Sequence, residues 1–202
     1  MVRKLITVIM LGVCVLFLGG CGNEKLSVKH TDKPLQKGVI ALGKVDITFN
    51  YLKQGGFGSN QFAVWIEDSK GNYIKTLGVT KFVATKGYKT REMALANWVK
   101  IAKRTDMNAQ QVEAITNATP STGMQTYEWN CTDAKGKPVE AGEYRYVVEA
   151  TRYMEDYDIF SGKILVGKKK VASRAEMKAV GDTEKNKSML TDVQAEFTPF
   201  SK

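Results

Sequence analysis

Apolar residues at every second position constrain this chain most. Val45, Ile47, Phe49 and Tyr51 alternate with Asp46, Thr48 and Asn50, the period of a strand with one face buried and the other in water. A helix would scatter those four apolar side chains around its circumference. The pattern recurs. Phe62–Glu67 and Tyr73–Leu77 flank Asp68-Ser69-Lys70-Gly71-Asn72, which reads as a hairpin. Thr126–Trp129 leads into a second turn at Asp133-Ala134-Lys135-Gly136, and Tyr144–Tyr153 sets Tyr144, Tyr146, Val148 and Ala150 on one side. Lys163–Val171 reads as a further strand, and Met189–Phe197 as the last, with Met189 or Leu190, Val193, Ala195 and Phe197 inward. Many short strands joined by such turns predict a mainly β chain, arranged as a sandwich.

Between the two halves of this pattern the period changes. Thr90 is placed to cap a helix running to about Arg104, on which Leu95, Trp98, Val99 and Ala102 form one apolar face. Asn108 with Gln111 has the spacing of a capping pair for a short helix over Ala109–Thr116, and Asn117 suits the left-handed residue beyond its end. The expected organisation is therefore a β domain over residues 40–202 with a small helical insertion at about 86–125.

The N-terminus carries an address. Arg3 and Lys4 precede the uncharged apolar run Leu5–Leu18, and Leu18-Gly19-Gly20-Cys21 follows. This is the layout of a secretory signal peptide, too short for a membrane span. The ending resembles a bacterial lipobox. The resemblance implies cleavage before Cys21, a lipid on its sulfur and attachment to a membrane face outside the cytoplasm, with residues 1–20 as leader and 21–39 as a lipidated tether. Lys25, Lys29, His30, Lys33, Pro34 and Lys37 make that tether polar and basic. Loss of the leader removes two positive charges and no acid, so the net charge falls from +9 to +7. It also removes Cys14. With Cys21 lipidated, Cys131 stands alone and no disulfide can form within the chain. His30 is the single histidine, which excludes a histidine-rich metal cage and leaves Cys131 without the base a catalytic thiol needs.

Two stretches fit a family pattern. Val64-Trp65-Ile66-Glu67-Asp68-Ser69-Lys70-Gly71-Asn72-Tyr73-Ile74-Lys75-Thr76-Leu77 is the first. Trp129-Asn130-Cys131-Thr132-Asp133-Ala134-Lys135-Gly136-Lys137-Pro138-Val139-Glu140-Ala141-Gly142-Glu143-Tyr144 is the second. Together they resemble the immunoglobulin-like domain of flagellar hook-capping proteins, whose pattern has glycine where Cys131 stands. The resemblance implies an immunoglobulin-like β-sandwich. With Phe62–Glu67, Trp98 and Ala118-Thr119-Pro120 added, residues 40 to 170 resemble the predicted periplasmic proteins of domain-of-unknown-function family 2271, which brings no established reaction.

Glu113 to Ser121 resembles a degraded flavin-attachment motif of exported redox proteins, which implies Thr119 as acceptor of a flavin mononucleotide. Glu113 stands for aspartate, Asn117 for glycine, and Pro120 follows the acceptor, so a helix end with a proline-bounded loop explains the same residues. Glu155, Asp156 and Asp158 cluster without a calcium-loop spacing and read as a solvated loop. Glu67 with Asp68 is an acid pair without a geometry. Gly55, Gly56 and Gly58 lack the Lys-Ser/Thr of a phosphate loop. Lys168-Lys169-Lys170 reads as a charged edge or turn, with anionic lipid, polysaccharide or an acidic partner as further readings. Trp65, Trp98 and Trp129 are expected to fill the core and the seam with the helices. The expectation is a non-enzymatic, lipid-anchored envelope protein that binds or assists an envelope protein partner, with no metal, cofactor or nucleic acid. A flavin-bearing electron-transfer accessory is the alternative.

Overall fold

The computed structural model describes residues 38–55, 59–153, 156–180 and 188–200. The leader, Cys21 and the tether up to residue 37 lie outside these residues, as does Glu155. Ten strands are described: β1 (Gly43–Tyr51), β2 (Gln61–Asp68), β3 (Tyr73–Thr80), β4 (Thr116–Asn117), β5 (Gly123–Trp129), β6 (Gly142–Tyr153), β7 (Asp156–Val166), β8 (Val171–Arg174), β9 (Glu176–Val180) and β10 (Leu190–Pro199). They form a four-stranded sheet in the order β5-β1-β10-β8 and a six-stranded sheet in the order β4-β3-β2-β6-β7-β9. The chain is mainly β, as its alternation predicts.

The inward faces of the two sheets share one core. Val45, Ile47, Phe49 and Tyr51 of β1 meet Phe62, Val64 and Ile66 of β2 and Tyr144, Tyr146, Val148 and Ala150 of β6. Leu190, Val193, Ala195 and Phe197 of β10 complete it. On β1 and β6 each of these residues falls on the side its alternation assigns; on β10 Met189 and Leu190 are both buried, and an irregularity at Asp192, φ +55°, shifts the phase before Val193. β10 lies between β1 and β8, so the C-terminal segment is integral to the four-stranded sheet.

The outer face of the six-stranded sheet has a second core. Ala63, Trp65 and Val147 on that face pack against Val83, Ala84, Ala94, Leu95, Trp98, Ala102 and Val112 from the helical segment. β2 is therefore buried on both sides, from Gln61 to Glu67. That is why its sequence reads as an unbroken apolar run and not as alternation.

The helical segment departs from the single helix predicted over Thr90–Arg104. A π-helical turn at Val83–Gly87 runs into α1 (Tyr88–Thr90), and the chain then breaks before α2 (Ala96–Ile101). Thr90 caps nothing: its hydroxyl donates back to the Lys86 carbonyl. The chain leaves the helix at Arg91, φ −143° and ψ 68°, and re-enters it after Leu95, which takes a left-handed backbone conformation, φ +55°, while its side chain stays buried. Packing against the sheet overrides local helix preference there. α3 (Ala109–Ile115) starts as predicted, with a reciprocal capping box. Asn108 Oδ1 accepts from the Gln111 N–H at 2.9 Å, and Gln111 Oε1 accepts from the Asn108 N–H at 2.9 Å. Asn108→Ala is expected to lower stability by about 1 kcal/mol, read as a shift in the urea midpoint. Asn117 is not left-handed. It lies in β4, which pairs in parallel with Val79 and Thr80 of β3.

Two further expectations are corrected. Lys163–Val171 is not one strand: β7 ends at Val166 in the six-stranded sheet and β8 begins at Val171 in the four-stranded one. Gly167–Lys170 carries the chain from one sheet to the other. Asp156 and Asp158 are not in a loop either, since both belong to β7, paired with Tyr153 and Ala150.

Candidate functional site

The helical cover stops partway along the outer face of the six-stranded sheet. Beyond it the face is polar, and the β2–β3 turn curls over it. Asp68 builds that turn. Its Oδ1 accepts from the N–H groups of Lys70 and Asn72, both at 2.8 Å, and Gly71 takes φ +85°. Desolvation pushes the Asp68 carboxyl up, but these bonds and the Asn72 side chain outweigh it and hold the group below its ordinary value. Asp133 builds the same turn further on, accepting from Lys135 and Lys137 at 2.9 Å, with Gly136 at φ +79°. The two turns are neighbours, joined by Ala134 N–H to the Ile74 carbonyl at 3.0 Å.

A cleft of about 260 Å³ lies against the first turn, bounded by Asp68–Gly71, Glu143, Tyr144, Arg145 and Lys163. Arg145 forms its floor. Its guanidinium is paired with Glu67, whose side chain is only 2% exposed, while the arginine itself is 44% exposed. Glu67 also accepts from Trp65 Nε1 at 2.7 Å. The buried carboxylate thus fixes the arginine, and the indole fixes the carboxylate. Lys163 pairs with Glu143 at 2.8 Å across β6 and β7. Every carboxylate of the cleft is committed to a cation or to backbone N–H groups. The arrangement suits binding of charged groups. Ser69 has no imidazole beside it among the described residues.

A second polar cluster lies beneath the helical cover. Glu149 on β6 is fully buried. It accepts from the Trp98 N–H at 2.8 Å, from the Asn97 side chain at 3.0 Å and from the Asn97 N–H at 3.3 Å. Thr151 accepts from the Leu95 N–H at 3.1 Å. These strand side chains satisfy the free N–H groups at the start of α2, which carries no cap of its own. Trp98 Nε1 donates to Thr76 Oγ1 at 2.9 Å, closing the seam. Arg104 is buried, and among the described residues no carboxylate pairs with it. It donates to the Ala84 carbonyl and lies over the Tyr88 ring, 4.4 Å from its centroid.

Cys131 is buried in the first core, at φ +53°. Glycine would adopt this backbone freely, whereas cysteine is strained there by about 1 kcal/mol. Burial pushes its thiol up to about 12. We expect Cys131 to resist iodoacetamide at neutral pH in the folded protein and to be alkylated in urea, read by mass on its peptide.

The other sequence-singled residues are dispersed. Thr119 is exposed on the loop between β4 and β5, and Cys21 is outside the described residues. Glu67 and Asp68 point to different tasks and form no acid–base pair. Trp65 and Trp98 line the seam, and Trp129 fills the first core, as expected. No group of three potential metal ligands occurs among the described residues. Arg145, Glu149 and Arg104 escaped the sequence reading. The signal for the first two was the apolar run of β2: a strand buried on both faces requires that the outward residues of its neighbour β6 be buried or paired too.

Two sheets with a helical cover over one of them define a mainly β domain with a helical insertion. Residues 43–185, more than half of the chain, match the family model DUF2271, predicted periplasmic protein, and the chain belongs to that family. The family description places it outside the cytoplasm. No curated protein and no solved structure matches the chain.

Proposed function

We propose that the chain is a lipid-anchored cell-envelope protein that binds or assists an envelope partner and carries out no catalysis. The observation that carries this reading is the commitment of the reactive side chains to structure: Glu67 orders Arg145, Glu149 caps α2, and the Cys131 thiol is buried and held protonated. The charge-lined cleft at the β2–β3 turn is the natural contact for a charged partner. The anchor rests on the Leu18-Gly19-Gly20-Cys21 ending of the leader. The immunoglobulin-like sandwich belongs to the same reading, supported by the meeting of its two family stretches through Ala134 and Ile74 and through Lys75 Nζ and Thr132 Oγ1 at 2.8 Å.

The test is the intact mass of the protein from a bacterial membrane fraction expressing a flavin transferase. A mass of residues 21–202 plus acyl groups, with release of a Cys21→Ser variant from the membrane, is the expected result. An unprocessed, unacylated chain overturns the anchor. The flavin alternative is favoured by the exposure of Thr119, which a transferase could reach. An added flavin mononucleotide, lost in Thr119→Ala, would make this an electron-transfer accessory.

A further inference from the structure

Both ends of the described domain meet at one pole. Gly43 pairs with Pro199, and the Phe200 N–H donates to the Leu42 carbonyl at 3.1 Å. Ala41 and Gly43 are buried, so the alternation turns Leu42 outward beside Phe200. Phe200 is 59% exposed, Leu42 57% and Ile40 46%. Large apolar side chains gathered in water at adjacent positions mark a contact surface.

The same pole gathers the lysine-bearing turns. β2 ends there at Asp68, opposite Tyr144 near the start of β6, and β7 ends there at Val166, opposite Gly142. The turns that follow carry Lys70 and Lys168–Lys170, and the Asp133 turn beside them carries Lys135 and Lys137, all exposed. Lys170 is paired with Glu196 at 2.8 Å, and Asp68, Asp133 and Glu140, which accept from backbone N–H groups, keep their negative charge, so the six lysines exceed these four carboxylates by two. Apolar side chains ringed by cations are the pattern of a surface that sits in a lipid interface containing anionic headgroups.

The occupant follows from where the chain continues. The segment from Cys21 enters the domain at this pole, at Gly38–Ile40. Extended, it would reach roughly 60 Å, so a lipid on Cys21 alone would not hold the domain against the membrane. We propose that Ile40, Leu42 and Phe200 sit in the interface of the membrane, with the lysines of the surrounding turns on anionic headgroups. This sets the basic pole against the lipid. The proposal rests on the lipid-anchor reading for what brings the pole to a membrane.

The test uses the acylated full chain in vesicles of phosphatidylethanolamine and phosphatidylglycerol with brominated acyl chains. Phe200→Trp places a reporter on the patch, and Leu42→Trp is a second. Met124→Trp, paired with Asn50 at the far end of the same sheet, is the control. The native tryptophans are buried and give a constant background. The reporters at 200 and 42 are expected to lose most of their added emission to bromine, the reporter at 124 none, and the loss at 200 to shrink when Lys168 and Lys169 are changed to glutamine. Unquenched reporters at 200 and 42 in a chain whose mass confirms acylation would overturn the proposal and leave the anchor standing. Equal quenching at 124 would overturn it too. A chain without acyl groups would end the anchor reading instead. With that chain, quenching at 200 that requires phosphatidylglycerol would still support the basic apolar pole, and its absence would overturn it.

Discussion

Replacing Trp98 by alanine is expected to lower stability by about 3–5 kcal/mol, the largest effect of any single truncation in the helical cover. Trp98 has no exposed surface and lies at the centre of the second core, against Ala63, Trp65 and Val147 of the sheet. Its truncation removes the widest apolar contact between cover and sheet and opens a cavity that a short helix of six residues, Ala96–Ile101, is poorly able to close. It also strips the Thr76 hydroxyl of its indole donor. Val99, on the same helix, is only partly buried, and Val99→Ala is expected to cost roughly 1 kcal/mol. Urea unfolding measures both. A fall in midpoint with an unchanged slope means that cover and sheets unfold as one unit. A reduced slope for Trp98→Ala means that the cover has already left the sheet.

β1 was legible because its burial is one-sided: Val45, Ile47, Phe49 and Tyr51 face the core at alternate positions, and no other period places those residues together. β6 was legible because Tyr144, Tyr146, Val148 and Ala150 enter the first core at alternate positions, although Val147 and Glu149 between them are buried on the other face. The turns were legible because aspartate and glycine have specific tasks in them, and Asp68 and Asp133 perform the same one. The capping box at Asn108 was legible for a similar reason: a side chain three residues away supplies its acceptor. The cover was harder to read. The apolar spacing of Leu95, Trp98 and Ala102 is real, but it is met by a helix that begins only after Leu95 in a left-handed conformation. A spacing records which side chains are buried and does not record where the backbone bends to bury them. The split of Lys163–Val171 between two sheets was hidden for a related reason, since a strand that changes sheets keeps its alternation on both sides of the crossing. The cleft was least legible. Glu67, Glu143, Arg145 and Lys163 are ordinary charged residues in sequence, and only the pairing of β2, β6 and β7 brings them together.

Glu149 gives the most direct test of how the cover is held. Its carboxylate is buried where the backbone N–H of Trp98 has no other acceptor at the start of α2. Glu149→Ala leaves that group and the Asn97 donors unsatisfied, at about 1–3 kcal/mol for each buried group. Glu149→Gln retains one acceptor and, like the protonated carboxyl in acid, carries one donor, so it serves as a reference that does not titrate. The pH dependence separates the charge from the bonding. Burial raises the Glu149 carboxyl above its ordinary value of 4.5, and the hydrogen bonds from Asn97 and Trp98 offset this only in part. The folded state therefore holds this proton more tightly than the unfolded chain does. A group of that kind contributes its full stabilisation below the unfolded-state value and loses it as pH rises through the higher folded-state value. Glutamine does not titrate. The stability of the wild type relative to Glu149→Gln is thus expected to fall as pH is raised from 4.5, the ordinary value of the group, and then to level off. Urea unfolding of both proteins across that range measures the difference. If the difference stays constant, the carboxyl titrates alike in the folded and unfolded chains, and the hydrogen bonds from Asn97 and Trp98 offset burial in full. If it grows with pH, hydrogen bonding to the charged form outweighs burial, and the carboxylate acts as a charged cap on α2.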